Sequence, residues 1–256
     1  MTTTPSPTPR AVLVTGGSRG IGAAIARAFA DQGDRVAVHY GRSGERAEAV
    51  RASLPGEGHV TVQADMADPD AVRTCVDTAA ERLGRLDVLV NNAGVFLAHP
   101  PLTTSYDDWQ AIWSRTLATN LTGAANALFC AIPHLQAAGG GAVVNVSSRG
   151  AFRGEPNNPA YAASKAGINA FGQSMALVLA PLGISVGTVA PGFVQTEMAR
   201  EVLEGESGDA VRAQSPYGRI ARPEEVASAV VWLASPQARF STGTIIDVNG
   251  ASYLRS

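Results

Sequence analysis

Ala11-Val12-Leu13-Val14, running into Thr15-Gly16-Gly17-Ser18-Arg19-Gly20-Ile21-Gly22, is the stretch that decides the fold. Four apolar residues read as a short buried strand, and the glycines after them close it in a tight turn. From Ile21 to Asp31 apolar residues recur at helical spacing, so the turn opens straight into a helix, with Gln32-Gly33 as its stop. Strand, glycine turn and helix N-terminus together let backbone N–H groups and the positive end of the helix dipole meet a pyrophosphate. Gly16 is read as making the tight turn, Gly20 as letting the backbone approach the phosphates, and Gly22 as seating the helix close on the strand. The expected ligand of the turn is therefore a dinucleotide, with Gly16, Ser18, Arg19, Gly20, Ile21 and Gly22 as its contacts.

Working outward, further apolar runs at Arg35–His39, His59–Gln63, Leu86–Val90, Ala142–Val146, Ser185–Val189 and Thr244–Val248 are strand candidates. Several are apolar almost throughout, as in strands buried on both faces of a parallel sheet. Helical patterns such as Ala67–Leu83 lie between them. Regular β–α alternation implies an α/β layer fold with right-handed crossovers. No composition break or repeat divides the chain, so one domain is expected over 11–256. Residues 1–10, Thr/Pro-rich and without a hydrophobic segment, read as a loose tail and not an export signal. The Val194–Gly218 stretch is the least regular and reads as a binding loop or a pair of short surface helices.

Composition narrows the function. The chain has 256 residues, of which 45% are hydrophobic and 16% charged, enough for a sizeable core. Its formal net charge of −2 and lack of Lys/Arg runs give no reason to expect nucleic acid as a partner. No apolar stretch approaches the roughly 20 residues of a membrane span. The two cysteines, Cys75 and Cys130, sit in apolar stretches and read as core fillers in a reduced compartment. A cytoplasmic protein is expected. The four histidines lack metal-ligand spacing and Ser148 lacks a nucleophile motif, so no metal is expected and hydrolase chemistry finds no support.

Charge also bears on which dinucleotide binds. A cofactor with free ribose hydroxyls usually meets a carboxylate at the end of the second strand. Here the segment reads Val38-His39-Tyr40-Gly41-Arg42-Ser43, without an acid. Arg42 and Arg19 can instead converge on a 2′-phosphate, with Ser43 donating a further hydrogen bond beside Tyr40, which favours NADP(H). Asp65-Met66 ends the third strand, where an acid can accept from the adenine amine. Asn92, Ala93 and Gly94, after the fourth strand, are small enough for backbone to approach the adenosine ribose.

A second cluster carries chemistry. Ser147-Ser148 follows the fifth strand, and Tyr161-Ala162-Ala163-Ser164-Lys165 opens a helix. Tyr161 and Lys165, four apart, share one helix face. An ammonium beside a phenol is expected to lower the phenol's pKa from about 10 and make it a general acid/base. Lys165 is the only lysine in the chain; the rest of the 20 basic residues are arginine.

Thr15–Gly22, Asn91–Gly94, Asn120, Ser148, Tyr161-x-x-x-Lys165 and Pro191-Gly192, in this order and spacing, resemble the short-chain dehydrogenase/reductases over residues 11–250. The resemblance implies a Rossmann fold with seven parallel strands and helices on both faces, usually in homotetramers or dimers. It gives Tyr161 the role of proton donor to a carbonyl oxygen. Lys165 would bind the nicotinamide ribose and lower the tyrosine pKa. Ser148, 13 positions before Tyr161 as the family's serine commonly is, would hydrogen-bond the substrate oxygen. Asn120 would hold a relay water, and Pro191, Gly192, Val194 and Thr196 would contact the nicotinamide.

The expected activity is reduction of a ketone, or oxidation of a secondary alcohol, with NADP(H). The substrate pocket is expected along Val95, Phe96, Leu97, Phe152, Arg153, Asn157 and Val194–Gly218, apolar with one cation that suits an acidic group. A 3-oxoacyl-acyl-carrier-protein reductase is the alternative, although Ala131–Gly141 and Ala166–Ala199 hold no cation for an acidic carrier protein. A nucleotide-binding regulator without catalysis is a third possibility, opposed by the intact Asn120, Ser148, Tyr161 and Lys165.

Overall fold

The computed structural model describes residues 9–199, 205 and 208–255; most of the expected N-terminal tail and part of the Val194–Gly218 stretch lie outside them. Seven strands form one parallel sheet: β1 Ala11–Val14, β2 Arg35–Tyr40, β3 Val60–Gln63, β4 Val88–Asn91, β5 Gly141–Val146, β6 Ile184–Pro191 and β7 Ile245–Val248. Their spatial order is β3-β2-β1-β4-β5-β6-β7. All seven coincide with the apolar runs read from sequence. β6 extends past its expected end because Thr188 to Pro191 pair in register with Ile245 to Val248.

Alternate strand residues feed two cores, which is why the runs are continuously apolar. Ala11, Leu13 and Val143 pack with α3 (Pro69–Leu83), α5 (Gly123–Ala137) and α7 (Pro159–Leu179) on one face. Val12, Val14 and Val144 pack with α1 (Gly20–Ala30), α2 (Gly44–Ser53) and α9 (Pro223–Leu233) on the other. Cys75 is buried in the first core, which pushes its thiol up to about 12, and Cys130 is half-buried at its margin; both are free thiols.

The order of the strands places the site. From β1 the chain steps to β2 on one side, whereas β4 lies on the other. A crevice therefore opens beyond the carboxyl ends of β1 and β4, the switch point where α/β sheets bind ligands. The shorter elements around it are α4 (Tyr106–Leu117), a π-helical turn (Ala118–Thr122), α6 (Gly150–Arg153) and α8 (Gly208–Ala213). Among the described residues no helix is long and apolar enough to cross a membrane.

Candidate active site

The glycine turn forms because its backbone takes conformations that a side chain would forbid. Gly16 and Gly20 have φ of +64° and +52°, in the left-handed region that glycine tolerates. A Cβ on Gly22 would overlap the Gly16 carbonyl oxygen, so the helix sits against the turn's own backbone as expected. Arg19, the residue before α1, gives no side-chain cap, leaving the first-turn N–H groups to face an anion. The Thr15 hydroxyl accepts from the backbone N–H of Asn92 and Ala93 at 2.9 and 3.1 Å, and the Asn92 amide donates to the Thr15 and Gly16 carbonyls at 2.9 and 3.1 Å. Asn92 thus spends its side chain bracing the turn. Thr196, from the segment after β6, closes over Gly20 with its methyl 3.2 Å from a Cβ placed there.

Cations gather at the β2 end. Arg19 lies 3.7 Å from the Glu197 carboxylate, and Arg46 on α2, which the sequence pattern does not single out, lies 2.7 Å from the same oxygen. Arg42 is exposed and makes no ion pair among the described residues, but its charge helps hold Asp65 below the usual carboxylate range. The larger cause is Arg115, which donates to Asp65 at 2.9 Å, while the Ala67 N–H takes the other oxygen. The Asp65 carboxylate expected at the adenine is therefore already engaged. Ser43, at the N-terminus of α2, caps no backbone group with its hydroxyl. Met66 is buried, and its carbonyl occupies the space a Gly123 Cβ would need.

The groups expected to react lie at the other side of the crevice. Pro159 starts α7, placing Tyr161 in its first turn and Lys165 one turn on. Lys165 is buried, donates from Nζ to the Val146 carbonyl at 2.7 Å, and stands 5.7 Å from the Tyr161 ring centre. Burial lowers its pKa to about 8. Burial likewise pushes the Tyr161 phenol up to about 12, against the pull of a hydrogen bond with Ser148 and with the Glu155 charge adding to the rise. This corrects the expectation of a lowered phenol: the ammonium points at a carbonyl and lies over the ring, while desolvation penalises the phenolate. Ser148 Oγ accepts from the Gly150 N–H at 3.0 Å, which leaves its own proton to donate. Asn120 sits in the π-helical turn, a backbone form that recurs at functional sites, and its amide clamps both backbone groups of Val95 at 2.8 and 3.0 Å. Gly94 joins the two halves: a Cβ there would lie 3.3 Å from Asn120 Oδ1 and 3.7 Å from Lys165 Nζ.

With the glycine turn, Asn120, Ser148, Tyr161 and Lys165 around one crevice, similarity to known proteins becomes informative. The family model described as enoyl-(acyl carrier protein) reductase matches residues 16–251. The chain belongs to the short-chain dehydrogenase/reductase family of oxidoreductases. It is 41% identical to cis-4-hydroxycyclohexanecarboxylate dehydrogenase of Sinomonas cyclohexanicum over 94% of this chain and 95% of that one. It is 37% identical to 3-oxoacyl-[acyl-carrier-protein] reductase FabG of Staphylococcus aureus over 96% and 98%. A short chain dehydrogenase from Burkholderia cenocepacia, solved in complex with NADP, superposes with a TM-score of 0.85 at 38% identity, over 95% of this chain and 97% of that one.

In this family member the substrate side differs from expectation. Phe96 sets its ring edge-on to Tyr161 at 4.8 Å, as a pocket wall would, and Arg153 reaches Gln214 Oε1 at 3.1 Å across the mouth. Besides the expected cation Arg153, two charged groups lie near: Arg149 and Glu155 act on each other and on Arg153, and Glu155 acts on Tyr161. Burial lowers Arg149 and raises Glu155. A cavity of about 200 Å³ lies among Arg149, Phe193, Ser215, Tyr217, Asn249 and Ser252, and neither Tyr161 nor Ser148 lines it. Val194 pairs with Ala221, a 3-10 turn follows at Glu197–Ala199, and α8 comes later. Residues 200–204, 206 and 207 of the expected pocket loop lie outside the described residues. Among the described residues no group of His, Cys, Asp and Glu is arranged to hold a metal ion.

Two histidines do structural work that spacing alone does not announce. His99 is buried; Nδ1 contacts the Leu97 carbonyl at 2.7 Å and Nε2 accepts from the Ala160 N–H at 3.1 Å, tying the segment after β4 to the start of α7. His39 is buried against the glycine turn.

Proposed function

We propose that the chain transfers a hydride between NADP(H) and a ketone or secondary alcohol, with Tyr161 as proton donor and acceptor. The observation that carries this reading is the place of Gly94, where a Cβ would meet the Asn120 and Lys165 side chains, two residues after Asn92 braces the glycine turn. Nucleotide cleft and acid are thereby set side by side. The nicotinamide supplies the hydride to the carbonyl carbon. The uncapped N-terminus of α1 suits the pyrophosphate. Arg19, Arg42 and Ser43, with no acid at the end of β2, suit a 2′-phosphate, and the NADP complex of the Burkholderia relative supports that choice. Pro191, Gly192, Val194 and Thr196 would border the nicotinamide in this reading.

Reduction needs a proton at the carbonyl oxygen as the hydride reaches carbon. The Tyr161 phenol, held protonated at neutral pH, gives it, and the Ser148 hydroxyl orients the same oxygen. Lys165 binds ribose hydroxyls and passes a proton back to the phenolate through a water held by the Asn120 backbone. Exposed Phe129 on α5 and Leu177 and Val178 on α7 support assembly as a homotetramer or dimer through these helices. A soluble enzyme of the cytoplasm fits this reading.

For substrate, the exposed cation of Arg153, the Phe96 ring against Tyr161 and the activity named for the Sinomonas relative favour a medium-sized secondary alcohol or ketone bearing a carboxylate. The similarity to FabG supports the second reading, an oxoacyl thioester. NADPH oxidation with 4-oxocyclohexanecarboxylate, cyclohexanone and an acetoacetyl thioester separates them. The keto acid is expected to give the highest kcat/KM. A preference for the thioester selects the second reading, and no turnover of any carbonyl in a wider panel removes the enzymatic one.

A further inference from the structure

β2 is apolar at Val36, Ala37 and Val38, yet its next residue is a histidine with 2% of its surface exposed. Its partners define its state. Nε2 lies 3.1 Å from the Ala64 carbonyl, which can only accept, so Nε2 carries the proton. Nδ1 is then a bare lone pair, and it accepts from the Gly16 N–H at 2.9 Å. Burial keeps the imidazole from protonating until the pH falls to about 4, so this lone pair persists at neutral pH. The His39 carbonyl also accepts from the Gly17 N–H at 2.8 Å. Asn92 holds the carbonyl of the same Gly16 residue from the β4 side. The backbone of Gly16 is therefore pinned from two strands, and only the N–H groups further along the turn and at the start of α1 are left to a ligand.

We infer that His39 is a positioning residue of the dinucleotide site: its neutral Nδ1 sets the Gly16 peptide and, through it, the direction in which the N-terminus of α1 faces the pyrophosphate. The inference rests on the dinucleotide reading above. A charged imidazole would set an N–H against the Gly16 N–H, and an apolar residue would leave that donor buried without a partner. Turn and helix would then settle in a range of orientations, and affinity for the cofactor would fall while the chemistry at Tyr161, set by β5 and α7, would not.

His39→Asn and His39→Gln separate positioning from mere filling of space. Asparagine places its amide oxygen near the Nδ1 position and keeps an acceptor for Gly16, but does not reach Ala64. Glutamine reaches toward Ala64 and has no acceptor at the Nδ1 position. Each loses one buried hydrogen bond, so both are expected to melt earlier than the natural protein by similar amounts. The readouts are the NADPH Kd from fluorescence titration and kcat and KM for NADPH at saturating carbonyl substrate. His39→Gln is expected to raise Kd and KM roughly three- to tenfold with kcat nearly unchanged, the size of one lost hydrogen bond, and His39→Asn to restore most of the affinity. Equal Kd values for the two variants, or Kd that simply follows melting temperature, overturn the inference. Natural protein that binds no NADPH or NADH overturns the dinucleotide reading itself, a result distinct from equal variants.

Discussion

The glycine turn and the wall opposite Tyr161 are built from different bonds. At Gly16 the N–H goes to His39 on β2 and the carbonyl to Asn92 just after β4, and a Cβ would press on Ala93 Cα at 2.9 Å. Across the crevice, Arg153 reaches Gln214 on the exposed surface and Phe96 leans on Tyr161 by ring contact alone. Backbone pinned by buried hydrogen bonds holds one shape for one ligand. Side chains on loops can be exchanged without disturbing the sheet. The contrast implies that the cofactor half tolerates little change, whereas the substrate half can change without disturbing the sheet.

The sharpest break of this comparison is at the residue that gives the proton. Tyr161→Phe keeps the ring that packs on Phe96 and removes only the hydroxyl. Turnover is expected to fall by about two to four orders of magnitude while NADPH still binds; retained turnover in steady-state assays removes Tyr161 from its role. The raised phenol adds a direction. Alcohol oxidation needs the phenolate, so its rate in the natural protein is expected to climb with pH through the alkaline range, whereas reduction draws on a phenol already protonated at neutral pH.

A smaller effect is expected within the cofactor half, at its exposed margin. Arg42 is exposed and makes no ion pair among the described residues, so Arg42→Ala is expected to leave the fold undisturbed. KM for NADPH is expected to rise about tenfold, and KM for NADH to stay within about twofold, as loss of one charge-assisted contact to a phosphate implies. Equal changes for both cofactors would mean that Arg42 does not read the 2′-phosphate.

What was legible in the sequence follows the same division. Strands buried on two faces are apolar almost throughout, so β1, β4, β5 and β6 stood out as runs; the turn stood out because Gly16, Gly20 and Gly22 answer to backbone geometry. Tyr161 and Lys165 were legible through helical spacing. His39 and His99 were not, because their partners Ala64 and Ala160 lie 25 and 61 residues away and a lone polar residue carries no period. The upward shift of Tyr161 was hidden for a related reason: four-residue spacing places an ammonium near a phenol, but only the fold shows that Nζ is turned to the Val146 carbonyl and that the phenol is desolvated. Arg46 became visible as a member of the cation group only through Glu197, which arrives from the far side of the chain.

The mildest test sharpens the exposed side of the contrast. Arg153 closes α6, five residues after Ser148, and its guanidinium bonds a neutral amide, so its charge is not cancelled by a direct ion pair among the described residues. Burial raises Glu155 nearby, while the Arg149 and Arg153 charges pull it back down. A substrate carboxylate at the mouth would meet that cation in partial solvent, where ion pairs are weak. Arg153→Ala is therefore expected to raise KM for 4-oxocyclohexanecarboxylate only about three- to fivefold, with kcat and the melting temperature held and cyclohexanone unaffected. The added KM should shrink as salt rises, since screening removes the same attraction in the natural protein. If the uncharged ketone loses as much as the keto acid, Arg153 shapes the wall without reading charge, and selectivity for an acid must come from Arg149, which is buried and already hydrogen-bonded to Ser252.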